Sequence, residues 1–91
     1  MGSDSVSRVR VQINGMDYSL RGKGTEEDLR SVATRVDKVM RELAAANPQL
    51  DQKRVAVLAA VNLADELHRL EGQYNELMEL LDDKTRGNSR S

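Results

Sequence analysis

The first patterned segment alternates apolar and polar residues on both sides of the pair Asn14-Gly15. Asn-Gly favours the two-residue type I′ turn of β-hairpins, so this pattern predicts an antiparallel hairpin. In that register the alternating apolar side chains share one face. They are Val9, Val11, Ile13, Met16, Tyr18 and Leu20. The opposite face carries Arg8, Arg10, Gln12, Asp17, Ser19 and Arg21. Because an isolated hairpin is only marginally stable, we expect its apolar face to pack on helices.

A first helix is predicted from Glu26 to about Ala46. Thr25 is a suitable N-cap, and the acids that follow it suit the positive end of a helix dipole. Pro48 ends the helix because the residue before a proline is pushed out of helical geometry. Its apolar stripe has helical spacing and comprises Leu29, Val32, Ala33, Val36, Val39, Met40 and Leu43.

A second helix is predicted from a cap at Asp51 to about Asp83, roughly 32 residues or ~48 Å long. In residues 55–61 nearly every position is apolar, which indicates burial on several sides. From Leu63 onward the apolar residues follow a heptad spacing of four and three, typical of a coiled coil. The predicted oligomer interface comprises Leu63, Leu67, Leu70, Tyr74, Leu77, Met78 and Leu81.

Two features of this seam bear on how copies would pair. Glu66 and Glu71 flank it and would face each other in a parallel two-stranded homodimer, which like-charge repulsion disfavours. Met78 and Leu80 widen the apolar face near its end, which favours a four-helix contact with antiparallel pairing. The alternative is a long helix that folds back on its own head, but ~48 Å exceeds what a head of this size can cover. Asn62 interrupts the apolar stretch, and we interpret it as a buried amide that sets helix register.

The predicted fold class is therefore α+β. A small ββα head, made of a β-hairpin and a helix, precedes a long C-terminal helix that forms a coiled coil. We expect a disordered N-terminus over residues 1–7 and a head over residues 8–62. The coiled-coil helix covers residues 63–84 and is continuous with a head helix starting near residue 52. Residues 85–91, rich in polar residues, predict a disordered tail.

Composition narrows the function classes. The chain has 91 residues without Cys, Phe or Trp, so its core must be thin and part of its apolar surface is expected to lie against another copy. A formal charge of −1 provides no overall positive field for nucleic acid, and stacking aromatics are scarce. The N-terminus has no apolar signal segment, and the apolar run at residues 55–61 is too short to cross a bilayer. These features predict a cytoplasmic protein without membrane insertion.

Catalytic chemistry is not predicted either. His68 stands alone, and one His without Cys cannot anchor a transition-metal site. The glycines between Gly15 and Gly24 do not have P-loop spacing. The acids of the second helix are spread round it rather than converging on a pocket. We therefore expect no enzyme activity, no cofactor and no metal.

Four segments taken together resemble the ZapA family of bacterial cell-division proteins, in its short form. They are VRVQINGMDYSL at 9–20, ATRVDKVM at 33–40, NPQL at 47–50 and RVAVLAAVNLADEL at 54–67. The resemblance extends over residues 9–81. It implies a ββα head with a long helix, dimers, and pairs of dimers joined through coiled coils. It also implies that the partner is FtsZ, the tubulin-like GTPase of the mid-cell division ring, whose filaments family members bind and bundle without chemistry of their own.

The resemblance leaves the binding residues open. Some family members carry basic residues just after the turn, where this chain has Met16 and Ser19. The candidate partner-binding residues here are Arg8, Arg10, Arg21, Lys23, Lys38 and Arg41. We favour the hairpin group; the alternative interpretation is that these exposed arginines serve only to keep the sheet soluble. The alternative function is a generic coiled-coil oligomerisation adaptor with a different protein partner.

Overall fold

The structure, a computed structural model, describes the backbone of residues 6–90 and the side chains of residues 6–82. Its elements are, in order, β1 (Val6–Ile13), β2 (Met16–Lys23), α1 (Glu26–Ala46) and α2 (Gln52–Arg90). The chain divides into two compact units between Ala60 and Val61. We call the first the head and the second the helical unit. The predicted α+β class, a hairpin and helix followed by a long second helix, is confirmed.

The hairpin has the predicted register and turn. Ile13 pairs with Met16 in an antiparallel ladder. Between them, Asn14 and Gly15 have φ values of 51° and 85°, both positive as a type I′ turn requires. The backbone N–H of Asn14 donates to Asp37 Oδ1 at 2.7 Å, and its side-chain Nδ2 donates to Gln52 Oε1 at 2.9 Å. The turn is thus held to both helices of the head.

Both helices begin where the sequence predicts. At the start of α1 the N–H of Asp28 donates to Thr25 Oγ1 at 3.0 Å, and the N–H of Thr25 donates to Asp28 Oδ2 at 3.3 Å. This reciprocal capping box satisfies two backbone donors. At the start of α2 the N–H of Arg54 donates to Asp51 Oδ1 at 2.9 Å. Local side chains therefore define both helix starts.

The core of the head is small. Met40, Val55 and Ala59 form a buried cluster between α1 and the first turns of α2. Partly buried residues pack around it: Ile13, Val36, Val39, Leu43, Ala44 and Leu50. Val9 and Ala33 are buried where α1 crosses the hairpin. Because α1 packs mainly on β1, it leaves β2 much less covered.

The hairpin begins earlier than the sequence predicts. Val6 and Ser7, assigned to a disordered N-terminus, are strand residues that pair with Lys23 and Gly22. The hydroxyl of Ser7 also donates to the carbonyl of Gly24 at 2.7 Å. Gly22 continues the ladder opposite Ser7, because an extended glycine still offers its backbone groups for pairing.

The end of α2 also differs from the prediction. The structure continues the helix to Arg90, whereas the sequence predicts its end near Asp83 and a disordered tail from Thr85. No proline interrupts this segment, and a single glycine at Gly87 costs only about 1 kcal/mol relative to alanine. The disorder predicted for residues 1–5 and residue 91 concerns positions outside the described residues.

The apolar run at residues 55–61 is not buried on several sides. Val55 and Ala59 are buried, but Val57 is 57% exposed and Val61 is 60% exposed. Asn62, predicted to be a buried amide, is exposed in the single copy. Within the head, one helix and one hairpin are available for packing, so they cover only one side of residues 52–60 of α2.

Candidate partner-binding and assembly surfaces

Four of the six predicted partner-binding residues lie on one surface, the basic face of the hairpin. Arg8 pairs with Arg21, and two positions along the ladder Val6 pairs with Lys23. Arg10 has the same parity on β1, so all four basic side chains share the face opposite α1. Each of them is exposed. The remaining positions of this face include one acid, Asp17, so it has a clear excess of positive charge.

The arrangement of these basic side chains destabilises the hairpin. Arg8 and Arg21 stand directly opposite each other, a like-charge pair that destabilises an antiparallel ladder by up to about 1 kcal/mol. Among the described side chains, no carboxylate forms an ion pair with either arginine. Binding of an acidic partner would reduce the repulsion between Arg8 and Arg21, because its negative charges would lie close to both. The face is therefore suited to a negatively charged protein surface.

The other two predicted residues form a separate group on α1. Arg41 Nε lies 3.7 Å from Asp37 Oδ2, and the arginine side chain is 68% exposed. Lys38 is exposed on the same helix. Because α1 packs on the apolar face of the hairpin, these residues belong to a different layer from the basic face. The structure thus splits the six residues into a group of four and a group of two.

The predicted seam of the helical unit is presented to solvent in the single copy. Six of its residues are between 46% and 63% exposed: Leu67, Leu70, Tyr74, Leu77, Met78 and Leu81. Leu63 is partly buried. A contiguous row of large apolar side chains on one helix is typical of a surface that another chain covers.

The head exposes apolar residues that the sequence did not assign to any interface. Met16 is 52% exposed, Tyr18 is 43% exposed, and Val32 on α1 is 59% exposed. Alternation alone placed the first two on the packed face of the hairpin, but α1 lies over β1 and leaves them open. The only indication in the sequence that such residues would be exposed was the composition, which predicts a thin core and an apolar surface covered by another copy.

A second exposed apolar surface of the head lies beside the first turns of α2. Leu50, Arg54, Val57 and Leu58 line a shallow groove there. Val57 is 57% exposed, whereas Val55, two residues before it, is buried. Sequence reasoning missed this groove because it treated the whole run as core.

The described residues form neither a metal centre nor a membrane-spanning helix. In that part of the chain, no group of three or more His, Asp or Glu side chains could hold a metal ion. No helix built from the described residues is long and apolar enough to cross a membrane. His68 is exposed beside the seam.

A small α+β head with a charged hairpin face, followed by a long helix with an open apolar seam, defines a class of proteins that work by assembly. The sequence profile described as Cell division protein ZapA matches residues 9–89. The chain belongs to the ZapA family.

Individual relatives agree with this assignment. Cell division protein ZapA of Geobacillus kaustophilus is 44% identical over 75 residues, which cover 82% of each chain. Cell division protein ZapA of Bacillus mycoides is 42% identical over 78 residues, covering 86% of this chain and 88% of the relative. A solved structure, the ZapA mutant dimer from Geobacillus stearothermophilus, superposes with a TM-score of 0.71 at 38% identity. That superposition covers 90% of this chain and 95% of the other. The dimeric state of that relative supports self-association of this family.

Proposed function

We propose that this chain binds FtsZ filaments through the basic face of its hairpin and links them laterally, in support of division-ring assembly. The single observation that carries the proposal is a basic face in a member of the ZapA family, formed by Arg8, Arg10, Arg21 and Lys23, with which no carboxylate of the described side chains forms an ion pair. The role is non-enzymatic, and its site is the cytoplasm at mid-cell.

Linking requires more than one head in each assembly. An exposed ion pair contributes only about 0.2–1 kcal/mol, so a head must make several such contacts to hold a filament. Joining heads through the apolar seam makes the second filament contact intramolecular, which raises its effective concentration. Binding therefore depends on the basic face, and bundling depends on the basic face together with the seam.

The proposal is tested by co-sedimentation with FtsZ polymers in the presence of GTP. We expect the wild-type chain to pellet with the polymers. The double variant Arg10→Glu, Arg21→Glu should remain in the supernatant while its oligomer mass is unchanged. The matched control is Lys38→Glu, Arg41→Glu, which makes the same change of charge on α1. It should pellet like the wild type.

The outcomes distinguish an error in the assigned binding surface from an error in the assigned partner. If the α1 variant loses binding and the hairpin variant keeps it, the site lies on α1 and the assignment to the hairpin is wrong. Raising the salt concentration should weaken wild-type binding, since exposed charges are screened beyond roughly 8 Å at physiological ionic strength. If the wild-type chain does not pellet at any salt concentration, FtsZ is not the partner and a coiled-coil adaptor for another protein becomes the better hypothesis.

A further inference from the structure

The hairpin turn contains the pair of residues in which asparagine deamidation is chemically easiest. Of the five asparagines of the chain, Asn14 alone precedes a glycine. In this reaction the backbone nitrogen of the next residue attacks the side-chain carbonyl carbon, and a side chain on that next residue hinders the approach. Gly15 has none, and no other atom lies within 4 Å of where its Cβ would stand. Asn47, by contrast, precedes Pro48, which has no N–H to react.

The attacking nitrogen takes no part in the hairpin ladder. Ile13 and Met16 form the last pair before the turn, so Gly15 lies outside the ladder. Within the described part of the chain, the N–H of Gly15 donates to no backbone carbonyl. Gly15 is exposed and Asn14 is only half-buried, so water reaches the turn. Both reactants that deamidation needs, a backbone N–H and water, are therefore available here.

The folded turn holds Asn14 in an unreactive conformation. Its φ is 51°, and a type I′ turn requires a positive ψ there as well. Ring closure requires a negative ψ, so the peptide unit that joins Asn14 to Gly15 must rotate before its nitrogen can reach Cγ. Two hydrogen bonds oppose the rotation. Asp37 Oδ1 accepts from the backbone N–H of Asn14 at 2.7 Å, and Gln52 Oε1 accepts from its Nδ2 at 2.9 Å.

The bond to Gln52 is the weaker of the two. It joins neutral amides, whereas Asp37 accepts through a carboxylate. Gln52 Nε2 is buried and has no hydrogen-bond partner among the described residues, so the closed arrangement leaves one polar group unsatisfied. Release of Asn14 Nδ2 admits water to that nitrogen and recovers part of this cost. The side chain of Asn14 is therefore held only weakly in its unreactive position.

We propose that Asn14 is a deamidation site whose rate is set by local opening of the hairpin turn, and that Gln52 limits this opening. The nitrogen of Gly15 gives up its proton and bonds to Asn14 Cγ. The bond from Cγ to Nδ2 breaks, and ammonia leaves with that proton. Water then opens the succinimide at either carbonyl. Opening at Cγ leaves aspartate in a normal chain, and opening at the main-chain carbonyl leaves isoaspartate, with the chain running through Cβ and Cγ.

The two products affect the turn differently. Asp-Gly also favours a type I′ turn, and a rotated Gln52 amide can donate to the new carboxylate, which offsets repulsion from the nearby Asp37. Isoaspartate adds a methylene carbon to the backbone of a two-residue turn, so the pairing of Ile13 with Met16 no longer fits. It also lacks the side-chain amide that bonds Gln52. Ageing of the protein therefore releases the hairpin turn from the start of α2.

The test follows deamidation of the intact chain at neutral pH. Trypsin releases residues 11–21, and mass spectrometry with fragmentation distinguishes asparagine, aspartate and isoaspartate at Asn14 in this peptide. The same peptide, incubated free in solution, gives the rate without the folded turn. We expect the intact chain to react at least about tenfold more slowly. Equal rates would overturn control by the turn, and an intact chain without product after the free peptide has reacted fully would overturn the site.

Two variants test whether Gln52 limits the opening. Gln52→Ala removes the acceptor of Asn14 Nδ2 and should raise the rate by roughly two- to tenfold. Gln49→Ala makes the same change at an exposed glutamine of the preceding loop and should leave the rate unchanged. An unchanged rate in Gln52→Ala, or an equal rise in Gln49→Ala, would overturn the role of Gln52.

A third variant separates local opening from unfolding of the whole head. Val9→Ala removes buried methyl groups farther along the hairpin and touches neither hydrogen bond of Asn14. It should lower overall stability and leave the deamidation rate close to that of the wild type. If it raises the rate as much as Gln52→Ala does, global unfolding exposes Asn14 and the proposal of local opening is wrong.

The isoaspartate product is tested by thermal unfolding after chromatographic separation. It should melt roughly 4–8 °C below Asn14→Asp, the shift that the loss of one hydrogen bond produces in a domain of this size. Asn14→Asp has the same charge and a normal backbone, so it is the matched control. Equal melting temperatures would overturn the effect of isoaspartate on the turn.

Discussion

The hairpin turn allows a test in which one added methyl group measures the cost of a left-handed backbone conformation, without a change in side-chain contacts. Gly15 has φ at +85°, and no other atom lies within 4 Å of the position that a Cβ would take. A substitution to alanine therefore meets no steric obstacle outside its own backbone. Its cost is that of the left-handed conformation, roughly 1–2 kcal/mol for a residue with a Cβ.

The net effect of Gly15→Ala follows from two opposing terms. Alanine restricts the unfolded chain more than glycine does, which offsets about 0.4–1 kcal/mol of the cost. We therefore expect a loss of about 1 kcal/mol in the free energy of unfolding, or a fall of roughly 4–8 °C in the melting temperature of a domain of this size. Gly15→Val should be worse, because a branched side chain tolerates this conformation poorly.

Gly72→Ala is the matched control. Its added methyl also has no neighbour within 4 Å, but it lies inside α2 rather than in a turn. Alanine favours a helix interior over glycine by up to about 1 kcal/mol. The same chemical change should therefore stabilise the chain at Gly72 and destabilise it at Gly15.

The assay is thermal unfolding followed by far-UV circular dichroism. All variants are compared at one protein concentration, since association makes the melting temperature concentration-dependent. If Gly15→Ala melts at the wild-type temperature, the turn does not hold its left-handed conformation in solution and the reasoning is refuted. Shifts of the same sign at both glycines would refute it equally.

Two further predictions concern the seam and the core. Leu77→Glu places a charge in the exposed seam and should lower the mass measured by light scattering with gel filtration; an unchanged mass would show that the seam does not join copies. Met40→Ala removes a side chain that is 5% exposed and packed on Val55 and Ala59. It should lower the free energy of unfolding in urea by about 2–5 kcal/mol, and a loss below about 1 kcal/mol would mean that this cluster is not the core.

Several parts of the fold could be predicted because they depend on neighbours along the chain. The pair Asn14-Gly15 specifies its own turn, and the turn sets the strand register that alternation also requires. Thr25 and Asp51 place the two helix starts by bonding backbone donors three residues away. Such interactions are complete within a few residues, so the sequence contains all that is needed to predict them.

The candidate surfaces also have one feature that neighbouring residues determine and one that depends on tertiary packing. The shared face of Arg8 and Arg21 follows from strand parity and was predictable. Their separation from Lys38 and Arg41 was not, because it depends on which face of the hairpin α1 covers.

The sequence by itself therefore determined the elements, their boundaries near the caps and the sidedness of each strand, all of which depend on short-range bonding and periodicity. Only the tertiary structure decided which apolar residues are covered. Met16, Tyr18 and Val57 have patterns that predict burial, yet all are exposed in the single copy. Periodicity shows which side of an element is apolar but not what packs against it. A head with one helix over one strand leaves the rest of that surface to another chain.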